Sequence, residues 1–258
     1  LAKKEVKIGI IGKYFDTGDF VLSDAYVSVI EAIKISSYWQ NVKPELVWIN
    51  AKEYETGQRK ISELKDYDGI VVPGGFGTRG VEGIISAIKF AREKKIPYLG
   101  LCYGMQLAIV EYSRNVLRLK DANTTEIDKR TEHQVIAVME EQKDKIENKK
   151  LGGTMRLGAY RAVIKPKTLA YRAYGTNKIS ERHRHRFEVN PNYVERLTKA
   201  GMIFSGVSPD GRLCEIVELP QNIHPFFLAT QFHPEFKARP LSPHPLFTAF
   251  IKAVIKNK

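Results

Sequence analysis

Pro97-Tyr-Leu-Gly-Leu-Cys102-Tyr-Gly-Met-Gln106 is the stretch on which the reading of this chain turns. Pro97 to Leu101 is near-continuously apolar, as a buried parallel strand is, and Met105 to Val110 continues with helical character. A strand that runs straight into a helix through Gly-x-Cys-x-Gly reads as a nucleophile elbow. Such a turn forces its central residue into a strained backbone, so the positions two before and two after must be small for strand and helix to pass. Gly100 and Gly104 meet that need. A cysteine there lies at a helix N-terminus, whose partial positive charge and free N–H groups suit a negative sulfur. The alternative is an inert buried thiol, the usual fate of a free cysteine; the glycine bracket at a strand end favours the nucleophile.

Upstream of the elbow, short β-branched runs alternate with helical patterns. Val6 to Ile11, Glu45 to Ile49 and Asp68 to Val72 read as further buried strands. Asp24 to Ser36 and Gly83 to Arg92 carry apolar residues at helical spacing. Alternating strands and helices imply an α/β fold, a parallel sheet covered on both faces. From His133 onward the texture changes. His133 to Met139 and Thr154 to Lys165 read as candidate hairpins, Leu213 to Val217 and Phe226 to Gln231 as strands. A last helix is expected with Ser242 as N-cap and Pro243 at its first position, burying Leu246, Phe247, Phe250, Ile251 and Val254. Glu140 to Lys150 is a mixed charge run that reads as a solvated loop.

Chemistry at Cys102 requires partners. A sulfur that attacks an amide needs a proton donor for the departing amine, normally a histidine oriented by a carboxylate. His233 stands out among six histidines: Phe226 to Gln231 leads into Phe232-His233-Pro234-Glu235, and the proline ends the strand and sets a bend that returns Glu235 toward the imidazole. His224 and His244, beside prolines, read as surface loop residues, and His133 as a solvated strand end. An oxyanion needs donors. Pro73-Gly-Gly-Phe-Gly77 follows a buried strand, and in a parallel sheet the loops at the carboxyl ends of the strands meet over one crevice, where Gly75, Cys102 and His233 converge. The N–H of Tyr103 would be the second donor. Gly9-Ile-Ile-Gly12-Lys13 is too short for a nucleotide-phosphate loop, and the sequence shows no metal-ligand spacing. Cys214 reads as a buried strand residue.

Composition bounds the rest. The 258 residues carry 41 Lys plus Arg against 29 Asp plus Glu, a net charge of +12 that asks for an anionic partner. With 43% hydrophobic residues, no apolar run near the roughly 18 residues of a membrane span, two cysteines and no secretory leader, the chain reads as a globular, cytoplasmic protein without a membrane partner. It opens on Leu1 instead of methionine, the expectation for a piece of a longer protein.

The motif pair Gly100-Leu-Cys102-Tyr-Gly-Met-Gln106 and His233-Pro-Glu235 resembles the triad-type, class I glutamine amidotransferases. Pro73 to Gly83, Asp121-Ala-Asn-Thr-Thr-Glu126, Leu151 to Gly158, Glu181-Arg-His-Arg-His-Arg-Phe-Glu-Val-Asn190 and Gln231 to Phe236 are similar to the glutaminase domains of the CTP synthase family, and the similarity spans almost the whole chain, residues 1–258. The resemblance implies a flavodoxin-like or Rossmann-like parallel sheet with additional antiparallel strands. It makes Cys102 the nucleophile, His233 the general base and acid, and Glu235 its orienter. Gly75 and Tyr103 would form the oxyanion hole through their backbone, and Gly75, Tyr103, Gly104, Met105, Gln106, Glu126 and Arg186 would hold L-glutamine. The domain would need no cofactor. ATP with Mg2+ and UTP would bind a preceding synthetase domain, GTP would activate at the domain junction, and the full-length enzyme would be a homotetramer. Two departures from the family pattern stand out: Tyr103 where many relatives carry leucine, and a longer segment from Phe15 to Ser23.

Two other functions fit parts of the sequence. The elbow alone also suits a cysteine peptidase, and the Glu126 and Arg186 pair discriminates, because an amino-acid zwitterion needs both charges and a peptide does not. The basic run Arg182 to Arg186 also suits a nucleic-acid or nucleotide patch. The intact triad motif argues against a nucleic-acid module. If Arg182 to Arg186 is extended, the arginines share one face and His183 and His185 the other.

Overall fold

The computed structural model describes residues 4–13, 26–138 and 155–258. The segment Phe15 to Ser23, the start of the helix expected from Asp24 and the charge run Glu140 to Lys150 lie outside the described residues. The elements run β1 (Lys4–Gly12), α1 (Val27–Trp39), β2 (Val42–Asn50), α2 (Ala51–Glu55), β3 (Gly69–Val72), α3 (Val81–Glu93), β4 (Tyr98–Leu101) and α4 (Tyr103–Asn115). They continue with β5 (Asn123–Thr124), β6 (Gln134–Val138), β7 (Arg156–Ile164), α5 (Leu169–Tyr174), β8 (Lys178–His185), β9 (Phe187–Val189) and α6 (Pro191–Lys199). Last come β10 (Ile203–Val207), β11 (Cys214–Glu218), β12 (Phe227–Thr230) and α7 (Pro245–Asn257).

The main sheet has the order β2-β1-β3-β4-β12-β11-β10-β7-β8. Its first five strands are parallel and the remaining pairings antiparallel. This is the α/β architecture expected from the alternating pattern, with antiparallel strands added on one side. Parallel strands need cover on both faces. Two apolar clusters supply it: Ile84, Ile88, Leu107 and Ile109 of α3 and α4 belong to one, and Val29, Ile33, Phe247, Phe250 and Ile251 of α1 and α7 to the other.

The second half corrects three expectations. His133 to Met139 is no hairpin: β6 sits in a separate three-stranded sheet, parallel to β5 and antiparallel to β9. The strand from Arg156 instead pairs with β8, and α5 lies between them in the chain. The final helix starts at Pro245, two residues later than expected. Ser242 spends its backbone on a reciprocal pair of hydrogen bonds with Arg239, while His244 caps the helix by accepting the Leu246 N–H at Nδ1, 3.2 Å away. Both Pro243 and Pro245 offer the preset φ of a first helical position, and the capping side chain decides between them.

One buried ion pair ties the elbow helix to its neighbour. Arg92 of α3 meets Glu111 of α4 through Nε and Nη2, at 2.8 to 3.2 Å, and the Glu111 side chain is fully buried. Burial pushes the Glu111 carboxyl up while Arg92 pulls it down. Breaking such a pair strands a buried charge. Arg92→Leu is expected to destabilise the protein by about 3–5 kcal/mol, and Arg92→Leu with Glu111→Leu to recover most of that loss, as urea unfolding will measure.

Candidate active site

Four segments leave the sheet at the carboxyl ends of adjacent strands: Lys13 after β1, Gly74 to Gly77 after β3, Cys102 after β4, and Gln231 to Glu235 after β12. This edge is where open α/β sheets place their ligands. Cys102 has φ 50° and ψ −95°, a left-handed backbone that side chains other than glycine rarely adopt. The turn is held by its N–H, which donates to the Thr230 carbonyl at 2.7 Å, and by the N–H groups of Met105 and Gln106, which donate to its own carbonyl. The glycine bracket acts as the sequence suggested. A Cβ on Gly104 would stand 2.3 Å from the Val72 carbonyl oxygen, and one on Gly100 would crowd the Tyr98 hydroxyl, Ala229 and Gly104 at 2.7 to 2.9 Å.

His233 and Glu235 flank Pro234 as expected, with Nδ1 2.7 Å from Glu235 Oε1. Both are buried. Burial opposes a charged imidazole, yet Glu235 and the neighbouring Cys102 outweigh it and hold His233 well above its ordinary value of 6.5. Nε2, the nitrogen away from Glu235, is buried, with Cys102 beside the ring. Gly74 lies against this ring: a Cβ there would be 2.7 Å from His233 Cε1. The geometry places a cysteine on a strained turn beside an imidazole that Glu235 holds.

The structure brings Glu126 to the same loop. Its Oε1 accepts the Gly77 N–H at 2.7 Å. Burial raises its carboxyl, against the Gly77 N–H and the charges of Lys13 and Arg186, so Glu126 and Arg186 share one neighbourhood. Gln106 is buried and donates through Nε2 to the Phe187 carbonyl at 3.0 Å and to Gln231 Oε1 at 3.4 Å. Gly104 packs on β3, and the side chain of Met105 lies in the apolar core, leaving its backbone on the elbow. Arg182 and Arg184 are exposed and His183 and His185 buried, the alternation expected of an extended β8; Arg186 follows the strand.

Sequence reasoning missed three contributors. Lys13, which it met in a failed phosphate loop and in Gly12-Lys-Tyr14, a segment that fits the family resemblance, without assigning it a role, is 4% exposed, donates to the Gly77 carbonyl at 2.5 Å and sits 4.3 Å from the Tyr103 ring centroid. The Tyr103 hydroxyl donates to that carbonyl at 2.6 Å. Gln231 Nε2 lies 3.7 Å from Cys102 Sγ. Their positions at strand ends beside the crevice were the available signal. Two histidines are corrected: His224 and His244 are 1% and 3% exposed and so are no surface residues. Each accepts, at Nδ1, the N–H two residues on, across a proline. His133 is half-buried. It forms with Asp121 and Glu132 a group of potential metal ligands that sequence spacing did not reveal, with both carboxylates exposed. Cys214 is buried in β11 as expected, and burial pushes its thiol up to about 12.

A family model described as glutamine amidotransferase class-I matches residues 21–253. The chain belongs to the class I glutamine amidotransferases. Among this family, a CTP synthase of Bifidobacterium longum is 51% identical over 257 residues, covering 99% of this chain and 46% of that protein. A CTP synthase of Sulfolobus acidocaldarius is 54% identical over 248 residues, covering 96% and 45%. The chain thus spans about half the length of the curated relatives it matches. The glutaminase domain of Trypanosoma brucei CTPS, solved with bound acivicin, superposes with a TM-score of 0.88 at 38% identity, over 97% of this chain and 94% of that one. A glutamine amidotransferase of Thermotoga maritima, at 12% identity and a TM-score of 0.52, shares the fold. Among the described residues no helix is long and apolar enough to cross a membrane.

Lys13 gives a pH signature to this amidotransferase site. Burial pushes its ammonium from 10.5 down to about 8, against the pull of Glu126 and Glu55. Between those values the unfolded chain holds a proton that the folded chain has released, so stability rises with pH across that window. The gap in urea midpoint between the native protein and Lys13→Met is expected to move in favour of the native protein as pH rises from about 8 to 10.5, a comparison that cancels the opposing titration of Cys214 and the buried tyrosines.

Proposed function

We propose that this chain hydrolyses L-glutamine to glutamate and ammonia. The observation that carries the reading is Cys102 on a strained elbow beside a His233 that Glu235 holds at 2.7 Å. Cys102 sulfur attacks the side-chain amide carbon, and the N–H groups of Gly75 and Tyr103 receive the oxyanion. The C–N bond breaks as His233 gives its proton to the nitrogen, which leaves as ammonia. Water then gives a proton to His233 and attacks the γ-glutamyl thioester, releasing glutamate and the sulfur. Glutamine's ammonium and carboxylate fit a site with Glu126 and Arg186 near each other, and Gln106 donates to the carbonyl of Phe187, the residue after Arg186.

The names of the relatives support a wider reading. Ammonia made here would serve a synthetase domain of the same protein, which binds ATP with Mg2+ and UTP and replaces the 4-oxygen of UTP to give CTP. GTP at the junction would activate the glutaminase, and the whole enzyme would assemble as a tetramer. The basic, exposed Arg182 and Arg184 suit an anionic nucleotide near that junction. The glutaminase chemistry itself calls for no cofactor.

Glutamate release by the full-length protein with GTP is expected to vanish in Cys102→Ala; unchanged release would overturn the mechanism. A glutamine-derived diazo ketone is expected to label Cys102 and not Cys214, as peptide mapping will read. Glu235→Gln is expected to lower kcat by about a hundredfold or more, since it removes the group that fixes the imidazole's tautomer. It also removes the larger of the two influences, Glu235 and Cys102, that hold His233 above 6.5, so the alkaline limb of kcat/KM moves to lower pH in that variant.

A further inference from the structure

Behind the elbow lies a buried polar chain that the reaction above does not use. Arg156, His183, His185, Glu188 and Glu215 are all at most 8% exposed. Arg156 Nη1 is 2.8 Å from Glu215 Oε1 and 3.7 Å from Glu188 Oε1. His183 Nδ1 and His185 Nε2 are 2.9 Å apart, and His185 Nδ1 is 3.2 Å from the Phe187 carbonyl oxygen. That carbonyl also accepts from Gln106, whose amide reaches Gln231, whose amide reaches Cys102 Sγ.

The tautomers follow from the end of the chain. A carbonyl only accepts, so His185 carries its proton on Nδ1 and offers a bare Nε2. His183 therefore carries its proton on Nδ1 and presents a bare Nε2 to Glu215 Oε2 at 3.4 Å. Two bare acceptors at that distance repel unless one proton is held between them, and among the described residues neither atom has another hydrogen-bond partner. Burial, with the nearby charge of Arg156, pushes His183 to about 2 and His185 to about 3, which keeps the imidazoles in these neutral forms.

We propose that His183 and His185 are positioning residues: a fixed-tautomer relay, anchored on Glu215, that sets the Phe187 carbonyl and, through Gln106 and Gln231, orients the sulfur of Cys102. The proposal rests on the glutaminase reading only for its kinetic arm. Its structural setting is specific, because β8 also supplies the Arg182 carbonyl that accepts the His233 N–H at 2.8 Å and the Arg184 carbonyl 3.9 Å from Cys102 Sγ. A shift of β8 therefore reaches both members of the catalytic pair.

The test compares His185→Leu, which has no donor, with His185→Asn, whose amide replaces the Nδ1–H toward Phe187. Two readouts are taken on the full-length protein: kcat/KM for glutamine, and the rate at which iodoacetamide alkylates Cys102, followed by peptide mapping. His185→Leu is expected to lower both about tenfold, and His185→Asn to stay within about threefold of the native protein. Native-like values of both readouts in a folded His185→Leu protein would overturn the relay, as would equal losses in the two variants. If His185→Leu does not fold, Gln231→Leu cuts the same chain at its other end; about a tenfold fall in alkylation rate supports the relay and an unchanged rate overturns it. The two readings fail separately: a native protein that does not hydrolyse glutamine sinks the function, while the alkylation comparison still judges the relay.

Discussion

The strained backbone at Cys102 is the constraint to which the rest of the molecule answers. A non-glycine residue in the left-handed region costs on the order of 1–3 kcal/mol and persists only where its surroundings over-determine it. Here they do. The Thr230 carbonyl holds the Cys102 N–H, Gly104 lets α4 pass over Val72, and Gly100 leaves room for the Tyr98 hydroxyl, Ala229 of β12 and the backbone of Gly104. The parallel register puts Val72, Leu101 and Thr230 at the same sheet edge, so the elbow, the glycine loop and the His233 segment emerge together. The site is thus a consequence of sheet order.

Charge is concentrated around that edge at a cost the fold must offset. Lys13, Glu126 and Glu188 resist their ordinary ionisation because burial withholds water. Buried ion pairs contribute little net stability compared with apolar packing, so their presence is better explained by geometry than by strength. The Gly77 peptide unit shows this. Lys13 and Tyr103 hold its carbonyl and Glu126 holds its N–H, which fixes the loop carrying Gly75 from both sides.

The parallel half and the elbow were legible in the sequence because both leave local marks: apolar runs of strand length and a glycine bracket of fixed spacing. His233 and Glu235 were legible for the same reason. The other histidines were not. His224-Pro-Phe226, His233-Pro-Glu235 and His244-Pro-Leu246 share one local geometry, in which Nδ1 meets the second residue on. In two of them the partner is a backbone N–H, and in the third a carboxylate; burial follows from tertiary packing that no dipeptide reports. The pairing of β6 with β9, rather than with β7 that follows it, depends on long-range contacts and left no pattern. Lys13 needed the position of β1 beside β3, which a phosphate-loop search does not weigh.

The antiparallel half ends on β8, and a terminal strand ordinarily exposes a row of unpaired backbone groups that invites other chains to add to it. In this molecule the segment that follows β12 returns to that strand, and the His233 N–H occupies the Arg182 carbonyl. The segment that carries His233 therefore also covers part of the sheet's open border. That one contact joins the surroundings of Cys102 to the sheet's border, so the two cannot be loosened independently.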